Sequence, residues 1–99
     1  MKKLFISQPM RDKTKEEILA EREEAVKIAK EKLNDEVEVI DSYFEDFDRS
    51  VTNAPLWYLG KSLMLLATAD AAYFANGWEQ ARGCKIERTC ATEYGIDVV

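Results

Sequence analysis

Short apolar runs alternate along the chain with longer stretches in which apolar residues recur every three or four positions. The short runs predict strands at residues 2–7 (KKLFIS), 36–41 (EVEVID), 70–75 (DAAYFA) and 96–99 (IDVV). The longer stretches predict helices at residues 14–33, 55–68 and 83–94. A chain that alternates strands and helices in this way is typical of a parallel sheet covered by helices.

The expected fold is one α/β domain over residues 1–99, a flavodoxin/Rossmann-like three-layer arrangement with about four parallel strands in the order 2-1-3-4 and three helices. Residues 36–41 alternate between apolar and polar positions, which favours an edge strand. In an open parallel sheet, ligands bind beyond the carboxyl ends of the strands. The polar residues predicted at those ends are Ser7, Gln8, Asp41 and Asn76.

Two of the predicted helices have recognisable first turns. Thr14 followed by Glu17 matches a capping box, and Pro55 suits the first turn of the second helix. The second helix carries one apolar face, made of Leu56, Leu59, Leu63 and Leu66, with Trp57, Met64 and Leu65 outside it. An apolar surface this wide predicts a covered second face. We therefore expect a homo-oligomer, a dimer or higher, assembled partly through this helix.

Net charge and apolar run length restrict the classes of partner. The formal charge is −5, so no basic face is expected that could neutralise the backbone of a polymeric nucleic acid. The run at residues 63–67 is far shorter than a membrane span, and the three apolar residues at 4–6 are too few for a signal peptide. We expect a cytoplasmic protein that binds neither nucleic acid polymers nor membranes.

The residue types present also restrict the chemistry. The chain has no histidine, which removes Ser-His-Asp and Cys-His catalysis and the zinc sites that need imidazole. Cys84 and Cys90 are six residues apart on one predicted helix, about 9 Å along its axis, too far to form a disulfide. No glycine-rich phosphate-binding pattern is present. We expect no cofactor and no metal, so any catalysis falls to carboxylates.

Glu87 is the carboxylate whose position is unusual. On a helical wheel, Glu87 lies in the middle of the apolar side of the third helix, together with Gly83, Cys84, Cys90, Ala91 and Tyr94. A carboxylate there is costly unless something satisfies or uses it. Either Arg82 or a backbone amide satisfies it, or the helix starts elsewhere, or Glu87 points into a pocket as a nucleophile or base.

The segment around Glu87 also carries a resemblance. GCKIERTCATEYGIDVV resembles the pattern G-[TC]-x-x-E-x-x-x-A-x-x-x-G, followed by a strand, of the nucleoside 2-deoxyribosyltransferase-like family, in particular its small branch from phages and bacteria. LFISQPM and ADAAYFANGWEQARGC are similar to that branch as well, so the resemblance spans most of the chain.

The resemblance implies roles for several residues. In the family, the motif glutamate attacks the anomeric carbon of a deoxynucleoside, expels the base and leaves a glycosyl-enzyme for a second base or water; by position this is Glu87. The loop after the first strand lines the sugar or phosphate pocket, which implies substrate contacts for Ser7, Gln8 and Pro9. The motif glycine, Gly83, lies at the same pocket.

The chain departs from the family at one position. Family members with transferase activity usually have an aspartate two residues before the motif glycine, and this chain has Ala81. Four neighbouring residues are candidates to replace it in handling the base: Asn76, Trp78, Glu79 and Arg82. Trp78 can stack on a base, or it can simply anchor its loop.

Two functions are therefore expected. The first is cleavage of the N-glycosidic bond, or deoxyribosyl transfer, on a nucleoside or nucleoside monophosphate, with Glu87 as nucleophile. The alternative is a non-catalytic nucleotide-binding module, a sensor or sequestering protein, in which Glu87 accepts hydrogen bonds from ribose hydroxyls.

Overall fold

The computed structural model describes residues 1–9, 12–40 and 50–99 of the chain. The strands are β1 (Lys2–Ser7), β2 (Val37–Val39), β3 (Ala71–Phe74) and β4 (Asp97–Val98). The helices are α1 (Lys15–Leu33), α2 (Ala54–Leu66) and α3 (Arg82–Glu93), and a 3-10 helix at Trp78–Gln80, which the sequence did not predict, precedes α3. Within the described ranges, no helix is long and apolar enough to cross a membrane.

The four described strands form one parallel sheet in the order β2-β1-β3-β4. In the central pair, Leu4 lies opposite Ala71 and Ser7 lies opposite Phe74. The last strand runs parallel to β3, with Ala71 opposite Asp97. The predicted α/β fold and strand order are confirmed, and β2 occupies the edge position that its alternating polarity indicated.

Helices cover both faces of this sheet. One buried cluster joins the sheet to α1: Leu4, Ile6, Ala25, Ala29 and Ala71. The other joins it to α2 and α3: Phe5, Leu66, Ala72, Phe74 and Ala91. Because side chains alternate along a strand, Ser7 shares the face of Phe5 and is directed toward α2 and α3, whereas Gln8 is directed toward α1.

The connections leave the sheet in opposite directions on either side of its centre. The α1 crossover leads from β1 outward to β2, and the α3 crossover leads from β3 outward to β4. The carboxyl ends of β1 and β3 therefore flank the point at which the strand order reverses. Open α/β sheets bind their ligands in the crevice at this point.

Side-chain caps fix where the first two helices begin. The Thr14 Oγ1 atom accepts a hydrogen bond from the Glu17 backbone N–H at 3.1 Å, which confirms the predicted N-terminus of α1. The Asn53 side chain accepts from the Leu56 backbone N–H at 3.0 Å at the start of α2. Pro55 follows in the first turn of that helix, as the sequence predicted.

Two helix positions are more exposed than the sequence pattern predicted. Leu56 is 62% exposed. Leu56 lies in the first turn of α2 and borders an open groove with the first turn of α3. Tyr94 is 84% exposed because it is the C-cap of α3, where the helical geometry assumed by the wheel ends. Leu56 and Tyr94, which the sequence pattern put on apolar helix faces, are therefore not buried in the structure.

Candidate active site

Glu87 and Ser7 form a buried contact at the carboxyl end of β1. Ser7 is the last residue of β1 and is 3% exposed, and Glu87 lies in the second turn of α3 and is 7% exposed. The Ser7 hydroxyl donates a hydrogen bond to Glu87 Oε1 at 2.8 Å. The wheel's placement of Glu87 on the buried side of its helix is confirmed.

Two side-chain hydroxyls influence the ionisation of Glu87. Burial raises the pKa of the Glu87 carboxyl above its ordinary value, and the Ser7 and Ser62 side chains oppose that rise. Among the described residues, the hydrogen bond to the Glu87 carboxylate comes from a neutral hydroxyl, that of Ser7. This arrangement places a carboxylate in a shielded position without a neutralising cation among the partners that the structure gives it.

Cys84 lies one turn before Glu87 on α3 and is also buried. Its pKa is raised, chiefly by burial and further by the neighbouring Glu87 charge, while a hydrogen bond with Ser7 and the charge of Lys13 act in the opposite direction. Cys84 and Cys90 are both free thiols, as the sequence predicted. The site therefore holds a protonated thiol beside the carboxylate.

On the α1 side of the same sheet edge, Gln8, Lys13 and Glu21 form a polar network. Lys13 Nζ lies 2.8 and 2.9 Å from the two carboxylate oxygens of Glu21 and donates to the Asn76 carbonyl at 3.4 Å. Gln8 Nε2 donates to Glu21 Oε1 at 3.2 Å and to the Ile18 carbonyl at 3.1 Å. These contacts connect the loop after β1 to α1 and to the loop after β3.

The loops that follow β1 and β3 also approach each other closely. Gly77 has a backbone φ of +93°, a conformation that favours glycine, and a Cβ atom built there would lie 3.7 Å from Pro9 Cγ. Pro9 is half-buried at this contact, and the neighbouring Asn76 is exposed. Pro9 and Asn76 therefore border the crevice between the two central strands.

Trp78 packs against its own domain. Its ring centroid lies 6.0 Å from that of Phe74 in an edge-on arrangement, and the Arg88 guanidinium lies 4.7 Å from the Trp78 centroid. The same guanidinium lies 5.5 Å from the Phe74 ring. These contacts anchor the loop before α3, and the base-stacking role of Trp78 stays a prediction.

Arg82 and Gly83 border an open groove between the first turns of α2 and α3. The groove has a volume of about 330 Å³ and is lined by Asn53, Pro55, Leu56, Leu59, Arg82, Gly83 and Ile86. Gly83 precedes Glu87 by four residues and lies on the same face of α3. A Cβ atom built on Gly83 would meet nothing within 4 Å, so the space above this turn is open.

The residues selected from the sequence divide into three groups. The structure joins Ser7 to Glu87 and places Gln8, Pro9 and Asn76 at the same sheet edge, with Arg82 and Gly83 at the neighbouring groove. Trp78 packs on Arg88 and Phe74. Asp41 lies outside the described residues.

The sequence analysis missed Ser62, Lys13 and Glu21. Ser62 interrupts the apolar face that contains Leu59 and Leu66 of α2, just as Glu87 interrupts the buried face of α3, and that pattern was a usable signal. The Lys13–Glu21 pair joins a loop to a helix eight residues later, so no helical spacing marks it.

Within residues 1–9, 12–40 and 50–99, no group of three or more His, Cys, Asp or Glu side chains is placed to hold a metal ion. Comparisons of the chain with protein-family models, with curated proteins and with solved structures give no match. The function must therefore be inferred from the site itself and from the sequence motif around Glu87.

Proposed function

We propose that this protein cleaves the N-glycosidic bond of a nucleoside or nucleoside monophosphate, with Glu87 as the nucleophile. One observation carries the proposal: a carboxylate that is 7% exposed accepts a 2.8 Å hydrogen bond from Ser7 at the carboxyl end of the central strand. Parallel α/β sheets place ligands at this edge. The position of Glu87 within the deoxyribosyltransferase-like motif supports the same role.

The chemistry that we propose needs one protein group, the Glu87 carboxylate, together with the substrate and either water or a second base. A Glu87 oxygen forms a bond to the anomeric carbon as the bond from that carbon to the base nitrogen breaks. The base leaves with the bonding electron pair and takes a proton from water. The resulting glycosyl ester is then attacked by hydroxide, which gives hydrolysis, or by a second base, which gives transfer. Either attack restores the Glu87 carboxylate.

The other selected residues would surround the reacting bond. Ser7, Gln8 and Pro9 are proposed to border the sugar or its 5′-phosphate, because Ser7 ends β1 and Gln8 and Pro9 begin the loop that follows. Asn76, Arg82 and Gly83 are proposed to border the base, with Trp78 and Asp41 as further candidates. A free nucleoside or nucleotide substrate of this kind fits a cytoplasmic protein.

A nucleotide-binding module is the second candidate function. Ala81, at the position where transferases of the resembling family usually carry an aspartate, favours it. In a module of this kind, Glu87 would accept hydrogen bonds from ribose hydroxyls and no bond would break.

Substitution of Glu87 distinguishes the two candidates. Glu87→Gln keeps the shape and polarity of the side chain but removes the nucleophile, so we expect it to abolish release of the base while nucleosides still raise the melting temperature. Glu87→Ala should weaken both the release of the base and the binding of nucleosides. The matched control is Glu93→Gln, on the exposed part of the same helix, which should retain wild-type activity.

Each outcome of this comparison has a clear meaning. Base release that persists in Glu87→Gln would exclude Glu87 as the nucleophile. A melting-temperature shift without base release in the wild type would favour the binding module. If no nucleoside or nucleotide at millimolar concentration shifts the melting temperature, both functions fail and Glu87 is a structural carboxylate.

A further inference from the structure

Ser7 and Ser62 approach Glu87 from different layers of the fold. Ser7 ends β1, is 3% exposed and donates a hydrogen bond to Glu87 Oε1 at 2.8 Å. Ser62 lies in α2, and its side chain lowers the pKa of Glu87. A buried hydroxyl is retained at a cost unless its hydrogen bond has a use.

We propose that Ser7 is a positioning residue, whose hydroxyl holds the Glu87 carboxylate in its buried site and fixes which of its oxygens is presented to the substrate, and that the Ser62 side chain assists it from α2. This inference rests on the proposed function of Glu87. The geometry of the Ser7 contact carries it, because a hydroxyl 2.8 Å from Oε1 occupies a lone-pair direction of that oxygen. The Ser7 hydroxyl therefore holds Oε1 at the end of β1.

The described charged groups on the surrounding elements are paired elsewhere, exposed to water or distant from Glu87. We therefore assign the positioning of the Glu87 carboxylate to the serine side chains. Lys13 is paired with Glu21 on the other side of the sheet edge. Within α2, Lys61 is exposed and lies over the ring of Trp57, 5.4 Å from its centroid. Glu79 of the 3-10 helix, Asp97 of β4, and Arg82, Lys85 and Glu93 of α3 are exposed, and Arg88 of α3 stacks on Trp78. Lys2 and Lys3 lie at the opposite end of β1.

The direct test is a titration of Glu87 without substrate. Glutamate labelled with carbon-13 at the side-chain carboxyl is incorporated, and the resonance missing from Glu87→Gln identifies Glu87. We expect Ser7→Ala and Ser62→Ala each to move the Glu87 titration midpoint to higher pH, because each removes a donor to the ionised form. Ser62→Thr, which restores a hydroxyl, should return the midpoint toward the wild-type value.

Thr89→Ala is the matched control. It removes a hydroxyl from α3 that donates to the Lys85 carbonyl at 3.0 Å on the exposed face, and it should leave the Glu87 midpoint unchanged. In an assay of base release, loss of either serine should lower the rate by about 10- to 100-fold, the effect of one hydrogen bond to a charged group. The pH profile should move in the same direction as the titration midpoint.

The titration separates this inference from the proposed function. If the midpoint rises in the serine variants but no base is released by the wild type, the hydroxyls hold the carboxylate and the glycosidic chemistry is wrong. If the midpoint is the same in the wild type and in both alanine variants, the positioning role is wrong, whatever the activity. Should Ser7→Ala fail to fold, the half-buried Ser62 gives the same comparison.

Discussion

Glu87 is the residue on which the interpretation of the site depends. Its pKa is raised by burial, and the two serine hydroxyls limit that rise without adding a counter-charge. A nucleophilic carboxylate must be ionised but poorly solvated, and these two conditions conflict unless neutral donors hold the ion. Under the proposed function, the Ser7 hydroxyl is the neutral donor that holds the ionised carboxylate.

The raised pKa of Glu87 predicts a dependence of stability on pH. Below the ordinary value of 4.5, the carboxyl is protonated in both the folded and the unfolded chain. As the pH rises above 4.5, the unfolded chain ionises first, so the folded state loses stability until the pH passes the folded-state pKa. Glu87→Gln cannot ionise and avoids this loss.

We therefore expect the free energy of unfolding of Glu87→Gln, relative to the wild type, to increase as the pH rises through this window. Denaturant unfolding measured at several pH values checks the prediction. Glu93→Gln removes an exposed carboxylate from the same helix and should show a much smaller change, because water solvates that group. A difference between Glu87→Gln and the wild type that stays constant with pH would contradict the burial of Glu87.

At the scale of the elements, the pattern of apolar positions was sufficient for the order of strands and helices. The Thr14 cap and Pro55 located the starts of α1 and α2 because both signals act within one turn. The exposure of Leu56 and Tyr94 was not predictable, because it depends on where the sheet ends and the helix unwinds. A helical wheel shows neither where the sheet ends nor where the helix unwinds.

The candidate site was predictable only in part, because most of its contacts depend on how separate elements come together. Glu87 was identified because it interrupts the apolar face of its own helix. Its contact with Ser7 joins residues 80 positions apart, and only the parallel register of the sheet brings them together. The Lys13–Glu21 pair depends on how a loop folds over α1, which the periodicity of the helix does not specify.

At the scale of the whole molecule, α2 exposes apolar side chains in two places. Leu56 is 62% exposed in the first turn, beside the groove with α3, and Met64 is 65% exposed outside the apolar face of the helix. Lys61 is the one charged residue in the helix. The groove borders the first turn of the helix that carries Glu87, so an assembly through α2 would lie close to the Glu87 site. We propose that a second copy of this chain covers these exposed apolar side chains.

Light scattering at micromolar concentration tests this assembly. We expect the wild type to have the mass of a dimer or a larger homo-oligomer, and Leu56→Lys with Met64→Lys to dissociate it, because burying an unpaired charge is unfavourable. Leu19→Lys is the control, since Leu19 is an exposed apolar residue on α1, on the other face of the sheet. A monomeric mass for the wild type would exclude the prediction.

The nucleophilic role of Glu87 is tested most directly by trapping the covalent intermediate. A 2-fluoro-deoxynucleoside slows the second step of such reactions, so incubation with the protein should add the mass of the fluorinated sugar to the intact chain. Peptide mapping should place the added mass on Glu87, and Glu87→Gln should show none. An intact mass that remains unchanged after base release, or an adduct on any other residue, would contradict the account.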